Sequence, residues 1–272
     1  MPTLELPGAE LYYETAGAVS APALLLIPAG IATLRMWDEV VDDLAADHFV
    51  VRYDPRGFGG TRHDFSVPFA NHDDAVALLD HLGVERATVV GASRGGALAI
   101  DVALAAPRRV AGLVTIGARI GGFPDVEPSA DEQRRLDEVD AIDALADPAG
   151  YIRLETAVFA IGSGRSASDI DPGYLARAHE LAEPNVAHVA DDGDQVPLDP
   201  PAAERLGEIA TPTLAMVGEF DLSPFAVQFD AIVDRVPDVT GLRIAGTAHL
   251  PSVERPAEVG TALLDWLGER GL

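Results

Sequence analysis

The stretch Gly91-Ala92-Ser93-Arg94-Gly95 has the residue types and spacing of G-x-S-x-G. It follows the apolar run Thr88-Val89-Val90 and precedes a helical pattern from Ala97 to Ala105. A strand, a sharp turn and a helix in that order would lift the Ser93 hydroxyl above the end of a sheet. Glycines two positions before and two after let strand and helix approach closely around a strained serine. The helix N-terminus then points at the reacting group, and the backbone N–H of Arg94 becomes a donor to an oxyanion. The plainer alternative is a Gly-rich turn with an incidental serine. Serine attacks a carbonyl only when a base takes its proton, so an imidazole and an orienting carboxylate must come from elsewhere in the chain.

The surrounding elements are those that such a turn needs. Leu11-Tyr12-Tyr13, Ala23–Ile27, Phe49–Tyr53, Ala87–Val90 and Val110–Ile116 are predicted strands. Helical spacing separates them, with Trp37, Val40, Val41 and Leu44 on one face of 36–47, a helix over 69–82 ended by Gly83, and the helix 97–105. Strands alternating with helices imply an α/β fold with a mostly parallel sheet and helices on both faces. The pattern changes after Gly121-Gly122. Ser129-Ala130-Asp131-Glu132 forms a capping box before a charged helix, and further helices are expected over 149–161 and 172–183. Asp191 to Asp194 forms a polar turn. Alternation resumes with a strand over 212–217, a helix over 225–236, a strand over 242–244 and a last helix over 256–267. We therefore expect a core of residues 1–122 and 206–272, interrupted by a helical cap of residues 123–205.

Composition removes several chemistries. The 272-residue chain has no cysteine and no lysine. This excludes thiolate nucleophiles, Schiff bases on lysine and lysine-dependent phosphate loops. The net charge of −25 argues against nucleic acid or anionic lipid as partners. The longest apolar run, 21–31, is broken by Pro22, Pro28 and Gly30 and is too short to span a bilayer. With no basic-then-apolar leader at Met1, the expected location is the cytoplasm and the expected partner a small-molecule substrate. Composition leaves monomer and homodimer equally open.

Four segments in order and spacing make the chain resemble the α/β-hydrolase superfamily from about Leu4 to Leu267. Asp54-Pro55-Arg56-Gly57-Phe58-Gly59 is similar to its D-x-R-G-x-G loop, and Ser93 occupies its nucleophile turn. Gly218-Glu219-Phe220-Asp221 stands where the family carries its acid. Gly246-Thr247-Ala248-His249 with Glu254-Arg255-Pro256 is similar to its histidine loop. The resemblance implies Ser93 as nucleophile, His249 as general base, Asp221 as orienting acid, and no metal or organic cofactor. The family's His-Gly after the third strand is replaced by Ile27-Pro28-Ala29-Gly30-Ile31, where Gly30 would supply the second oxyanion N–H and Ile31 is the alternative one residue on. It implies a serine hydrolase of a carboxylic ester, thioester or lactone. Carbon–carbon bond hydrolysis, cofactor-free perhydrolysis and hydroxynitrile cleavage use the same triad, and a binding protein that kept the fold is the non-enzyme alternative.

Other groups receive plainer readings. Glu219 and Asp230 compete with Asp221 for the acid, but Asp221 stands just past a strand end. Arg56 is expected to tie the Gly-rich turn to nearby carboxylates or carbonyls. Neither His72-Asp73-Asp74 nor Asp191 to Asp194 has a metal-site spacing. His63, His72 and His81 are expected to be solvated, while His48, His179 and His188 have no matched context. Val158, Phe159 and Ile161 are expected to be cap core rather than pocket wall, and Arg153 solvated.

Overall fold

The apolar runs pair with one another in the computed structural model, which describes residues 2–191 and 195–272. Its strands are β1 (Thr3–Leu6), β2 (Ala9–Ala16), β3 (Ala23–Ile27), β4 (Phe49–Tyr53), β5 (Arg62–His63), β6 (Ala87–Ala92), β7 (Val110–Ile116), β8 (Thr213–Gly218) and β9 (Val239–Ile244). They form one sheet in the order β1-β2-β4-β3-β6-β7-β8-β9, with β5 paired to β2. From β4 to β9 every pairing is parallel, and only the pairings of β2 are antiparallel. Strands β4, β6 and β8 are buried along their whole length, as a parallel sheet covered on both faces requires.

Alternate residues feed two separate cores. Leu25, Val51, Val89 and Leu113 face one side, against Leu78 and Leu79 of the helix Asn71–His81, Val102 of the helix Arg94–Ala105 and Phe229 of the helix Ser223–Arg235. Leu24, Leu26, Val90 and Val114 face the other, against Val40 and Leu44 of the helix Asp38–Ala45 and Leu263 and Trp266 of the helix Pro256–Arg270. The period of two in the strands thus meets helices on both faces.

Between β7 and β8 run the helices Ala130–Asp140, Pro148–Ile161 and Pro172–Ala182, with no named strand among the described residues. The capping box forms: Ser129 N–H donates to Glu132 at 2.7 Å, and Glu132 N–H to the Ser129 hydroxyl at 3.4 Å. Glu132 is fully buried and also accepts from the N–H and hydroxyl of Ser223, which opens the helix after β8.

Some boundaries differ from expectation. The helix after Ser93 starts at Arg94, three residues early, although Gly95 and Gly96 are poor helix formers. Space explains them: a Cβ on Gly95 would lie 2.5 Å from the carbonyl oxygens of Ile27 and Pro28, and one on Gly96 2.5 Å from the Ala118 Cβ. The helix expected from Phe69 starts at Asn71, because Phe69 instead bridges to Gln195. Strands β1 and β5, only four and two residues long, are not among the expected strands. Of the expected turn at Asp191 to Asp194, all but Asp191 lies outside the described residues. No described helix is long and apolar enough to cross a membrane.

The tight packing under Ser93 generates a contrast. A Cβ on Gly91 would lie 2.0 Å from the Gly95 carbonyl oxygen, whereas Gly83 has φ +69° and open space around it. Gly91→Ala is expected to lower unfolding free energy by ~3 kcal/mol or more through steric displacement, and Gly83→Ala by only ~1 kcal/mol through backbone strain. Urea unfolding of both variants measures the difference.

Candidate active site

Ser93 is the single non-glycine residue with positive φ among the described residues, at φ 52° and ψ −116°. Neighbouring backbone holds it there. Its N–H donates to Ile116 O at 2.8 Å, and its carbonyl accepts from Ala97 N–H at 3.1 Å and Arg119 N–H at 3.4 Å. The strain is thus stored between β6, β7 and the first turn of the helix that follows.

The hydroxyl of Ser93 donates to His249 Nε2 at 2.8 Å, and His249 Nδ1–H donates to Asp221 Oδ1 at 2.8 Å. Both His249 and Asp221 have buried side chains, 1% and 0% exposed. Asp221 follows β8 by three residues and receives the Leu222 N–H at 2.8 Å. The rival acids are engaged elsewhere: Glu219 accepts from Gly246 N–H, and Asp230 pairs with Arg243. Three residues 128 and 28 positions apart in sequence are therefore brought into one hydrogen-bonded relay.

The histidine loop is fastened from the stretch between β7 and β8. Arg165 pairs with Glu254 at 2.9 Å, donates to Gly246 O at 2.9 Å and donates to Ile161 O at 2.7 Å. Glu254 in turn accepts the Ala248 N–H at 2.9 Å, one residue before His249.

A cavity of about 430 Å³ opens over Ser93. Phe58, Phe159 and Phe225 give it apolar walls, and Phe225 and Phe159 pack on the imidazole with ring centroids 4.2 and 4.9 Å away. Phe159, expected to be core, thus faces the cavity. Val158 is buried in a small core with Val139 and Leu222, and Ile161 packs against the larger core, both as expected. Arg153 is exposed.

Gly30 and Ile31 line the same cavity, as does Arg94. Neither Gly30 N–H nor Ile31 N–H is taken by an acceptor among the described residues. The loop is clamped by Asn185, whose amide donates to Gly30 O at 3.2 Å and Ala32 O at 3.1 Å and accepts the Gly59 N–H at 3.0 Å. Arg56 behaves as expected, pairing with Asp74 through two nitrogens and donating to Pro7 O. Asp54 accepts N–H groups from Leu34 and Gly60, yet burial pushes its carboxyl up to about 6.

The cavity also holds Glu155, whose pKa is raised by burial and whose nearest polar partner is the Tyr151 hydroxyl at 3.5 Å. Glu155, Asn185, Tyr151 and His188 carried no signal in the sequence, because each stands alone on a helix or turn without a motif.

One expectation is corrected outright. His63 is not solvated: its side chain is 5% exposed, packed on Phe65 at 3.8 Å between ring centroids. Its Nδ1 accepts the Gly57 N–H, so its Nε2 carries the proton that faces Asp191 at 3.0 Å. His72 is also largely covered, at 15%. His188 completes the group, facing Asp191 through Nδ1 and Gly59 O through Nε2. A ligating imidazole needs a bare nitrogen toward the ion, and His63 presents an N–H there, so these three residues suit a hydrogen-bonded clasp rather than a metal.

Comparison with known proteins bears on the fold. The alpha/beta hydrolase fold family matches residues 22–144. The RutD protein of Azorhizobium caulinodans, named for carbamate hydrolysis, is 30% identical across 99% of this chain and 99% of its own. The chain belongs to the α/β-hydrolase fold family. This α/β-hydrolase is an enzyme of the hydrolase type. It is also 39% identical to the rhodomycin D methylesterase DauP of a Streptomyces species, over 51% of this chain and 48% of that protein. The similar stretch thus spans about half the length of the methylesterase. Among solved structures, a hydrolase from Pseudomonas aeruginosa aligns with a TM-score of 0.73 at 25% identity, over 98% of each chain.

Two predictions come from the buried charges. Arg165→Leu would leave Glu254 buried without its partner and is expected to cost ~3–5 kcal/mol of unfolding free energy, measured by urea titration. Asp101, on the helix after Ser93, has a carboxyl oxygen without a hydrogen-bond partner, and burial raises its pKa to about 6. The folded state therefore holds this proton more tightly than the unfolded chain, and stability falls as pH rises from about 4 to about 6. Asp101→Asn is expected to raise the melting temperature at pH 8 and to leave it near the wild-type value at pH 4.

Proposed function

We propose that this α/β-hydrolase cleaves a carboxylic ester, thioester or lactone of a small molecule through an acyl-enzyme on Ser93. The observation that carries this reading is the continuous relay Ser93–His249–Asp221, with both contacts at 2.8 Å. In the first step His249 Nε2 takes the Ser93 proton while Oγ bonds to the carbonyl carbon. Asp221 stays ionised and stabilises the imidazolium. The oxyanion collapses, the C–O (or C–S) bond to the leaving group breaks, and His249 returns the proton to it. Water then gives a proton to His249 as its oxygen attacks the acyl carbon, the bond from that carbon to Ser93 Oγ breaks, and His249 returns the proton to Oγ as the acid departs.

The Arg94 N–H supplies one oxyanion donor. The second comes from Gly30 or Ile31. Asn185 holds the Gly30 carbonyl, which fixes the plane of the peptide carrying the Ile31 N–H. That support favours Ile31 over Gly30, because preorganised donors stabilise an oxyanion at least reorganisation cost. Residues 123–205 act as a lid that carries the Phe159 wall and the Asn185 clamp.

A fluorophosphonate is expected to add once, on Ser93, by intact mass and peptide mapping, and His249→Ala is expected to abolish the adduct. Ser93→Ala is expected to lower kcat on an ester that the wild type turns over by about 10⁴-fold or more. Normal turnover by Ser93→Ala would overturn the reading.

A further inference from the structure

Three covered guanidinium groups of this chain are satisfied by carboxylates. Arg52 pairs with Glu14 and Asp38, Arg56 with Asp74, and Arg165 with Glu254. The Arg94 guanidinium lies over the Phe58 ring at 4.2 Å from its centroid, and Arg94 lines the cavity above Ser93 together with two adjoining hollows. None of its N–H groups has a hydrogen-bond acceptor, and no carboxylate pairs with it, among the described residues. Burial lowers its pKa to about 10, so it remains charged at neutral pH.

This is a conspicuous vacancy of charge in a chain of 44 acidic and 19 basic residues. A half-buried cation without a counter-charge is costly, and the usual remedy is an internal carboxylate. Here the fold offers Arg94 an aromatic face, which tolerates a cation and leaves its fork of donors open. The fork follows Ser93 directly in the chain and borders the same cavity. An anion bound there would belong to the molecule that Ser93 attacks.

We infer that Arg94 is a specificity residue whose side chain receives a carboxylate of the substrate, so that the preferred substrates are monoesters of short dicarboxylic acids, or lactones bearing a carboxylate. The inference rests on the Ser93 reading for the reaction but not for binding. Glu155, which lines the same cavity, has the Tyr151 hydroxyl as a partner, whereas Arg94 has none among the described residues. Selection for a cationic substrate through Glu155 is therefore the competing outcome.

Three matched esters test the inference: 4-nitrophenyl hemiglutarate, its neutral amide 4-nitrophenyl 4-carbamoylbutanoate, and an analogue ending in trimethylammonium. For the wild type, kcat/KM is expected to favour the anionic ester over the neutral one by about tenfold or more, the effect of one charge-assisted hydrogen bond. In Arg94→Met and Arg94→Gln, each checked for folding by circular dichroism, the ratio is expected to fall toward about one. An unchanged ratio in the folded variants would sink the inference while leaving the hydrolase reading intact. So would a preference for the cationic ester that Glu155→Gln removes. Binding of glutarate to Ser93→Ala, measured by calorimetry, is the arm that needs no turnover. It is expected to be lost in the Ser93→Ala, Arg94→Met double variant. If the wild type turns over no ester, the triad reading fails and this arm alone decides: equal glutarate binding by the two proteins, or none by either, overturns the anion subsite.

Discussion

Everything at this site depends on the backbone of Ser93 being held where a serine does not rest by itself. Its φ of 52° and ψ of −116° are sustained by three backbone hydrogen bonds and by the absence of side chains at Gly91 and Gly95. The sheet supplies the rigidity. Strands β3, β6 and β7 are parallel neighbours, so their C-terminal ends, and the turns leaving them, lie together. That single edge gathers the Gly30 loop, Ser93 and the Arg119 turn, while β8 delivers Asp221 to the same side. The strain and its support are one feature, because a relaxed turn would withdraw the hydroxyl from His249.

The stretch between β7 and β8 is joined to this edge by polar contacts rather than by a broad apolar face alone. Asn185 bridges the loops at Gly30 and Gly59, Arg165 reaches the histidine loop, and Glu132 reaches Ser223 after Asp221. Each contact ends within a few residues of a member of the relay or of the Gly30 loop. Buried hydrogen bonds are directional, so they set the position of these loops more narrowly than packing does. The clasp of His63, His188 and Asp191 adds a further tie over the Gly57–Gly59 turn. Phe159 then has a defined place against His249 and narrows the cavity.

Charge is distributed with the same economy. The acidic excess serves most buried arginines, and the three that stitch loops together are all paired. Arg94 stands apart because its neighbours are Phe58, Gly30 and the cavity. The residue after Ser93 thus borders the cavity with both its backbone, at the helix start, and a side chain that has no counter-ion among the described residues.

Much of this was legible in the sequence, and the reason is local. Strand and helix periods depend on burial patterns within a few residues, so Val110–Ile116 was found to the residue and the helices at 130, 148 and 172 to within about one. The G-x-S-x-G turn and its setting were legible for the same reason: glycine marks where no Cβ fits. The roles of Asp221 and His249 came through resemblance, since 28 residues of separation carry no distance by themselves. Tertiary structure alone decided the rest. It made the helix start at Arg94, because close approach to Ile27 and Pro28 outweighs the poor propensity of two glycines. It turned Phe159 into a cavity wall and His63 into a buried donor. It brought Asn185, from a stretch without any motif, against Gly30, and it left Arg94 without a carboxylate partner among the described residues. These are contacts between segments distant in sequence, and their energies exist only once the chain has folded.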